Sequence, residues 1–200
     1  MPSVSVLVIA GTGRPYLAIA LRSLVDQRFQ DWEAIAAEAC RDPQDVESVR
    51  RQLREVPDER VRVFPYDRDD GAFPPFASRK WNFALRQARG RLIAFLDDDD
   101  AKDGDGWFSA MVAPLLADSN LATTVCDGTC TDQDGVKSGR VFSVDASLDR
   151  ALLLRAGFVT TGQIVVRRSV LDEVGGFDEV LGCAEDYDFC LRLSTRSWKR

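Results

Sequence analysis

An α/β protein built around a central, mainly parallel sheet is predicted by two features of the sequence. Short apolar, β-branched runs alternate with segments of helical period, beginning with Val4 to Ala10. One such run, Leu92-Ile93-Ala94-Phe95-Leu96, leads directly into Asp97-Asp98-Asp99-Asp100. Alternating strands and helices of this length form parallel strands joined by right-handed crossovers. In open sheets of this kind, ligands bind just beyond the carboxyl ends of the strands, where the aspartates stand.

The elements follow in order. Val4 to Ala10 is a strand; Gly11-Thr12-Gly13 turns, Pro15 suits a first helical turn, and Leu17, Leu21 and Leu24 keep helical spacing. Trp32 to Ala37 is a second strand, Asp45 to Arg54 a charged helix, and Val61 to Phe64 a third strand ended by Pro65. Trp81, Leu85 and Ala88 form one helix face, with Gly90 as its C-terminal cap before the strand Leu92 to Leu96. Beyond the aspartates a helix spans Trp107 to Leu116 and a strand Leu121 to Cys126. A hairpin turns at Asp134-Gly135, which makes the sheet mixed. A helix from Leu148 to Arg155, a strand from Gln163 to Val166 and a short helix ending at Gly175-Gly176 lead to Glu185-Asp186-Tyr187-Asp188. No repeat, linker or low-complexity tract divides the chain, so residues 1–200 read as a single domain.

Composition narrows the chemistry. With 45% hydrophobic residues, 200 residues can bury a core unaided. A net charge of -6 argues against nucleic acid or an anionic membrane surface as the main partner. The five cysteines, Cys40, Cys126, Cys130, Cys183 and Cys190, are odd in number and scattered, and read as reduced, mostly buried thiols. A cytoplasmic location and the absence of an integral membrane segment follow as expectations. There is no histidine. The commonest general base is therefore missing, and carboxylates must carry any acid-base work.

Four adjacent carboxylates repel one another unless a cation or solvent screens them, and oxygen-only ligands suit Mg²⁺ or Mn²⁺ rather than zinc. Taken alone, the tetrad fits equally a solvated acidic turn that caps the next helix.

Four segments, in this order, resemble the family 2 glycosyltransferases, inverting nucleotide-sugar enzymes of the GT-A fold. They are Val4 to Ile9 leading through Arg14-Pro15-Tyr16-Leu17 to Ser23-Leu24-Val25-Asp26-Gln27; Asn82 through Gly90 to Asp100; Gly175-Gly176-Phe177-Asp178-Glu179; and Glu185 to Leu193. The resemblance implies a Rossmann-like, three-layer α/β/α domain. It also implies a divalent cation, Mn²⁺ or Mg²⁺, held against the donor diphosphate by Asp97 and Asp99, with Asp98 or Asp100 as substitutes. Gly11, Arg14, Glu38, Asn82, Asp97 and Asp98 become donor contacts. Asp186 becomes the base that deprotonates the acceptor hydroxyl, and Glu185 orients the acceptor or the loop. The implied partners are a nucleotide-sugar donor and a carbohydrate, lipid or protein acceptor. Asp188 reads instead as an i, i+4 partner of Arg192. Arg79 and Lys80 read as solvated charge, and Trp107 as a core aromatic.

Two departures from the family pattern fall at the nucleotide end. Where the family usually has Pro-Thr-Tyr-Asn, this chain has Ala10-Gly11-Thr12-Gly13; where it has two aspartates, Gly and Ser, this chain has Glu38-Ala39-Cys40-Arg41. Glu38 can reach a nucleotide by its longer arm, but Ala39 has no hydrogen-bonding side chain. The family also generally continues past the Glu-Asp pair, so an end at Arg200 suggests a truncated or minimal form. These departures keep open a second reading, a GT-A-like domain that binds a nucleotide or a protein without transfer chemistry.

Overall fold

The structure, a computed structural model, describes residues 1–11, 13–40, 42–66, 77–132, 135–143, 154 and 159–194. Among these, the strands β1 (Val4–Ala10), β2 (Trp32–Glu38), β3 (Val61–Pro65), β4 (Leu92–Asp97), β5 (Thr123–Val125) and β8 (Ile164–Arg167) form a six-stranded sheet in the order β3-β2-β1-β4-β8-β5. β1 is parallel to both β2 and β4, and β2 to β3; β8 runs antiparallel to β4 and to β5. The remaining strands, β6 (Gly128–Thr131) and β7 (Lys137–Phe142), pair as a separate hairpin. The mainly parallel, mixed sheet is the one predicted.

The central strands are buried on both faces, as continuous apolar runs require. Alternate residues feed two cores. Val4, Val6, Val8, Leu92, Ala94 and Leu96 pack with residues of α1 (Leu17–Val25), α2 (Pro43–Glu55) and α4 (Trp107–Ala117). Leu7, Ile9, Ile93 and Phe95 face α3 (Ala77–Gln87), α5 (Arg168–Val174) and α6 (Glu185–Ser194). Three layers result. Phe95 is a hub of the second core, with ring centroids 5.5 Å from Trp81, 5.6 Å from Phe177 and 6.1 Å from Phe189. Those rings fix α3, the 175–179 segment and α6 around the strand that carries the aspartates.

Several boundaries differ from expectation for physical reasons. α2 starts at Pro43, because the Asp42 carboxylate caps it by accepting the Gln44 N–H at 2.7 Å. α3 stops at Gln87, so Gly90 is not its cap. A Cβ at Gly90 would lie 2.5 Å from the Ser5 nitrogen, and close approach of two backbones is what demands glycine there. Gln163 belongs to a 3-10 turn, Thr161–Gln163, rather than to the strand. The hairpin turns at Gly135, at φ +79°, while Asp134 lies outside the described residues. So does the expected helix from Leu148 to Arg155, apart from Leu154. All five cysteines are free thiols, but only Cys190 is buried and Cys183 is exposed. No helix among the described residues is long and apolar enough to cross a membrane.

Candidate active site

The parallel register brings the carboxyl ends of four strands level. Ala10 pairs with Glu38, Glu38 with Pro65, and Ile9 with Asp97. The chain leaves β1 toward β2 and β3 on one side, while β4 lies on the other, so the gap between the ends of β1 and β4 is the topological switch point of the sheet. Gly11 and the aspartate tetrad flank it.

The four carboxylates are not equivalent. Asp98 is buried and accepts the Gly11 N–H at 3.0 Å, joining the two strand ends. Asp99 is exposed and lies 3.5 Å from the Arg14 guanidinium, a solvated pair worth little energetically. Burial, reinforced by Asp100, Asp99 and Asp98, pushes the Asp97 carboxyl up to about 7 against the opposing pull of Lys102. Asp100 is open to solvent on one side yet crowded by protein on the other, which raises its carboxyl against the pull of Lys102, with Asp99 adding. Four acids so placed hold more negative charge than the fold readily supports.

Lys102 is the counterweight. Its side chain is buried, and its ammonium donates to the carbonyls of Phe95 at 2.9 Å and Gly162 at 2.7 Å, 4.5 Å from the Trp107 ring centroid. Burial lowers its pKa to about 8, with Asp100 the first of the groups resisting the shift. The loop around it hangs from α1: Ser23 Oγ accepts the Lys102 N–H at 3.0 Å, and Gln27 donates to the Gly104 carbonyl and accepts the Phe108 N–H at 3.1 Å. Lys102, Ser23 and Gln27 were not singled out from the sequence. Ser23 and Gln27 do stand at the two ends of the Ser23 to Gln27 segment that carries the family resemblance.

The β1–α1 loop is set by α2. Ser48 donates to the Gly13 carbonyl at 2.8 Å, and Gln52 donates to the Arg14 carbonyl at 2.8 Å. Gly13 has φ +64°, and a Cβ there would overlap the Asp45 carboxylate. A Cβ at Gly11 would lie 3.0 Å from Lys80 Nζ, so this lysine reaches the loop instead of pointing into solvent. Arg79 and Lys80 are both half-buried, which corrects their reading as solvated charge. Trp107 packs against the first core, with its indole N–H 3.5 Å from Cys126 Sγ.

Glu38 is turned onto α2, where Arg50 holds it at two points, 3.1 and 2.9 Å. Ala39 beside it is buried. The Asn82 carboxamide is a clasp: it donates to the Phe177 carbonyl at 2.8 Å and to Glu179 at 3.0 Å, and accepts the Phe177 N–H at 2.9 Å. Gly176 is required beneath it, since a Cβ would come 2.4 Å from Asn82 Oδ1. Both side chains, expected at the donor, have protein partners.

Glu185 and Asp186 open α6, both half-buried. Asp186 accepts the Tyr187 N–H at 2.8 Å; burial, with Glu185 adding, raises its pKa. Ala184 just before them has φ +60°, the one non-glycine in the left-handed region among the described residues. Asp188 pairs with Arg192 at 2.8 Å, as the i, i+4 spacing predicts.

The carboxylates here suit a metal shared with a ligand rather than a closed cage. Among the described residues, no three Asp, Glu, Cys or His side chains converge into a ready-made metal cage, so Asp97, Asp99 and Asp100 do not close a three-ligand site by themselves. Mg²⁺ is commonly held by one or two carboxylates together with substrate phosphates, and oxygen donors at an open strand end suit that sharing.

A family model described as glycosyl transferase family 2 matches residues 5–175. The chain belongs to glycosyl transferase family 2. Among relatives of this glycosyl transferase chain, the O-antigen biosynthesis protein RfbC of Myxococcus xanthus is 29% identical over 181 residues, covering 90% of this chain and 13% of RfbC. A Campylobacter jejuni protein named GalNAc(5)-diNAcBac-PP-undecaprenol β-1,3-glucosyltransferase is 26% identical over 187 residues, covering 91% of this chain and 57% of that protein. Among solved structures, Staphylococcus aureus TarS 1–349 in complex with UDP-GlcNAc superposes with a TM-score of 0.71 at 20% identity, over 97% of this chain and 53% of that one. The Pyrobaculum calidifontis mannosyltransferase PcManGT, solved with GDP-Man and Mn²⁺, gives a TM-score of 0.65 at 19% identity, over 93% of this chain and 50% of that one. The fold is that of the GT-A glycosyltransferases. This family member spans little more than half the length of those relatives at most.

Proposed function

We propose that this chain is the donor-binding and catalytic portion of a metal-assisted, inverting glycosyltransferase that moves a sugar from a nucleoside diphosphate to an acceptor hydroxyl. The observation that carries the reading is the aspartate tetrad at the switch point, tied to the β1 loop through Gly11 and Asp98. Asp97 and Asp99 would hold a divalent cation with the donor diphosphate, Asp100 adding charge beside them. When bound, that cation offsets the repulsion between carboxylates and phosphates and stabilises charge on the departing diphosphate.

The chain's own residues do the rest. Asp186, with its raised pKa, takes the proton from the acceptor hydroxyl as that oxygen forms its bond to the anomeric carbon and the diphosphate oxygen leaves with its bonding electrons. One displacement at one centre inverts the configuration. Glu185 orients the acceptor or the loop. Arg14 stands beside Asp99 with its side chain 62% exposed and supplies a positive charge for a phosphate oxygen there. Pairing of Glu38 with Arg50 favours a second reading, nucleotide binding without transfer, because it withdraws the carboxylate expected to meet the base.

A panel of nucleotide sugars assayed for Mn²⁺-dependent hydrolysis separates the two, as slow hydrolysis needs no acceptor. The transferase reading expects metal-dependent release of nucleoside diphosphate from at least one donor, abolished in Asp99→Ala. Tight nucleotide binding with no turnover of any donor selects the second reading.

A further inference from the structure

Lys102 is a buried cation whose structural task does not call for a charge. Two backbone carbonyls, of Phe95 and Gly162, accept from it, and neutral donors serve carbonyls as well. A buried ammonium is costly unless charge pays it back nearby. Opposite charges that favour the ammonium include the carboxylates of Asp100 and Asp97. Asp100 and Lys102 approach the same turn, since a Cβ at Gly162 would lie 3.0 Å from Asp100 Oδ2 and 4.0 Å from Lys102 Nζ. The Trp107 face adds a cation-π contact on another side. A buried ammonium thus stands beside the acidic end of β4, held on the Phe95 and Gly162 carbonyls.

We propose that Lys102 is a positioning residue of the metal site: its ammonium ties the acidic end of β4 to the 161–163 turn and keeps the tetrad from capturing a divalent cation before the donor diphosphate arrives. The inference rests on the metal-assisted reading above. A buried cation repels an incoming metal ion, so the tetrad alone binds weakly. The phosphates of the donor add the missing negative charge and ligand oxygens, and metal and donor then bind together. Repulsion of a doubly charged ion by one ammonium several ångströms away, even in a water-like dielectric, weakens binding roughly tenfold.

The test is Mn²⁺ binding followed by the electron paramagnetic resonance of the free ion, with no nucleotide and then with UDP or GDP, in wild type, Lys102→Met and Lys102→Arg. Wild type should bind Mn²⁺ poorly alone and better with a nucleoside diphosphate. Lys102→Met should bind Mn²⁺ alone more tightly, by up to about tenfold at a pH where Asp97 is ionised, with a smaller gain from nucleotide, and Lys102→Arg should match wild type. A lysine that only braces the loop predicts the opposite sign, because a loosened tetrad binds less metal. Equal or weaker Mn²⁺ binding in folded Lys102→Met overturns the proposal. Where the Met variant does not fold, Lys102→Gln keeps N–H donors while dropping the charge, and the same sign decides. If no protein binds Mn²⁺ with or without nucleotide, the metal-assisted reading itself fails, an outcome distinct from an unchanged affinity.

Discussion

Ala184 holds a backbone conformation that costs an alanine on the order of 1 kcal/mol and a glycine almost nothing. It stands directly before Glu185 and Asp186, and strain of this kind persists only where surrounding contacts enforce it. Ala184→Gly should therefore raise the urea midpoint, by about 1 kcal/mol in stability, and an unchanged or lower midpoint would show that the turn is not strained. Asp97 is a second residue held against its preference. Its carboxyl titrates near 7 in the folded chain against 3.8 ordinarily, so the folded state keeps a proton that the unfolded chain has lost between those values. Stability contributed by this group therefore declines as pH rises from 4 and is lowest above about 7. Asp97→Asn should then leave the melting temperature at pH 4 nearly unchanged and raise it at pH 8 by about 5 °C, corresponding to on the order of 2 kcal/mol. Residue identities at the tetrad were legible in the sequence because charge repulsion needs no tertiary context to be recognised. The partners of Asn82 were not: Phe177 and Glu179 lie 95 and 97 positions away, and nothing local to an early-helix Asn announces a clasp.

At the scale of elements, the end of the sheet opposite the site is fastened by one buried polar knot. Ser5 Oγ donates to Glu33 at 2.7 Å, the Arg89 N–H and the Arg62 guanidinium also donate to Glu33, and the Gly90 N–H donates to Ser5 Oγ at 2.7 Å. Burial alone would raise the Glu33 pKa, but the bonds from Ser5, Arg89 and Arg62 outweigh it and hold the carboxyl low. The knot joins β1, β2, β3 and the entry to β4, and so keeps the opposite ends of those strands in register at the site. Glu33→Gln should cost about 2 kcal/mol by urea denaturation at pH 7. Because a depressed carboxyl stabilises above its unfolded value and ceases to as pH falls through its folded one, the gap between variant and wild type should close toward pH 3. A gap independent of pH would show that the charge contributes nothing. Strand and helix alternation was readable from hydrophobic period, since both sheet faces are covered. The antiparallel run of β8 was not, because strand direction depends on the path of the connection and not on the strand's own residues.

Taken as a whole, the molecule gathers unfavourable charge at one point, the carboxyl end of β4. Two cores and the knot below them hold β1 and β4 side by side, and their ends then force Asp97 and its neighbours together. The open sheet predicted that the aspartates would stand at a strand end beside the switch point, whereas the Glu38–Arg50 pair and Lys102 emerged only when separate elements met. Ligand binding at such a point should stabilise the entire chain, because the folded state alone gathers the carboxylates. With Mn²⁺ and a nucleoside diphosphate at about a hundredfold over their dissociation constants, the gain is roughly 2.7 kcal/mol, or about 8 °C for a chain of this size. The gain should also depend on pH in a defined direction. Metal binding must displace the proton that Asp97 retains below about 7, so the thermal shift should be large at pH 8 and should shrink toward pH 5.5. Differential scanning fluorimetry across that range, with Asp97→Asn as the reference, checks both parts: the variant should show a smaller shift at pH 8 and little dependence on pH. A shift in wild type that is the same at both pH values would mean that Asp97 does not take part in holding the ion.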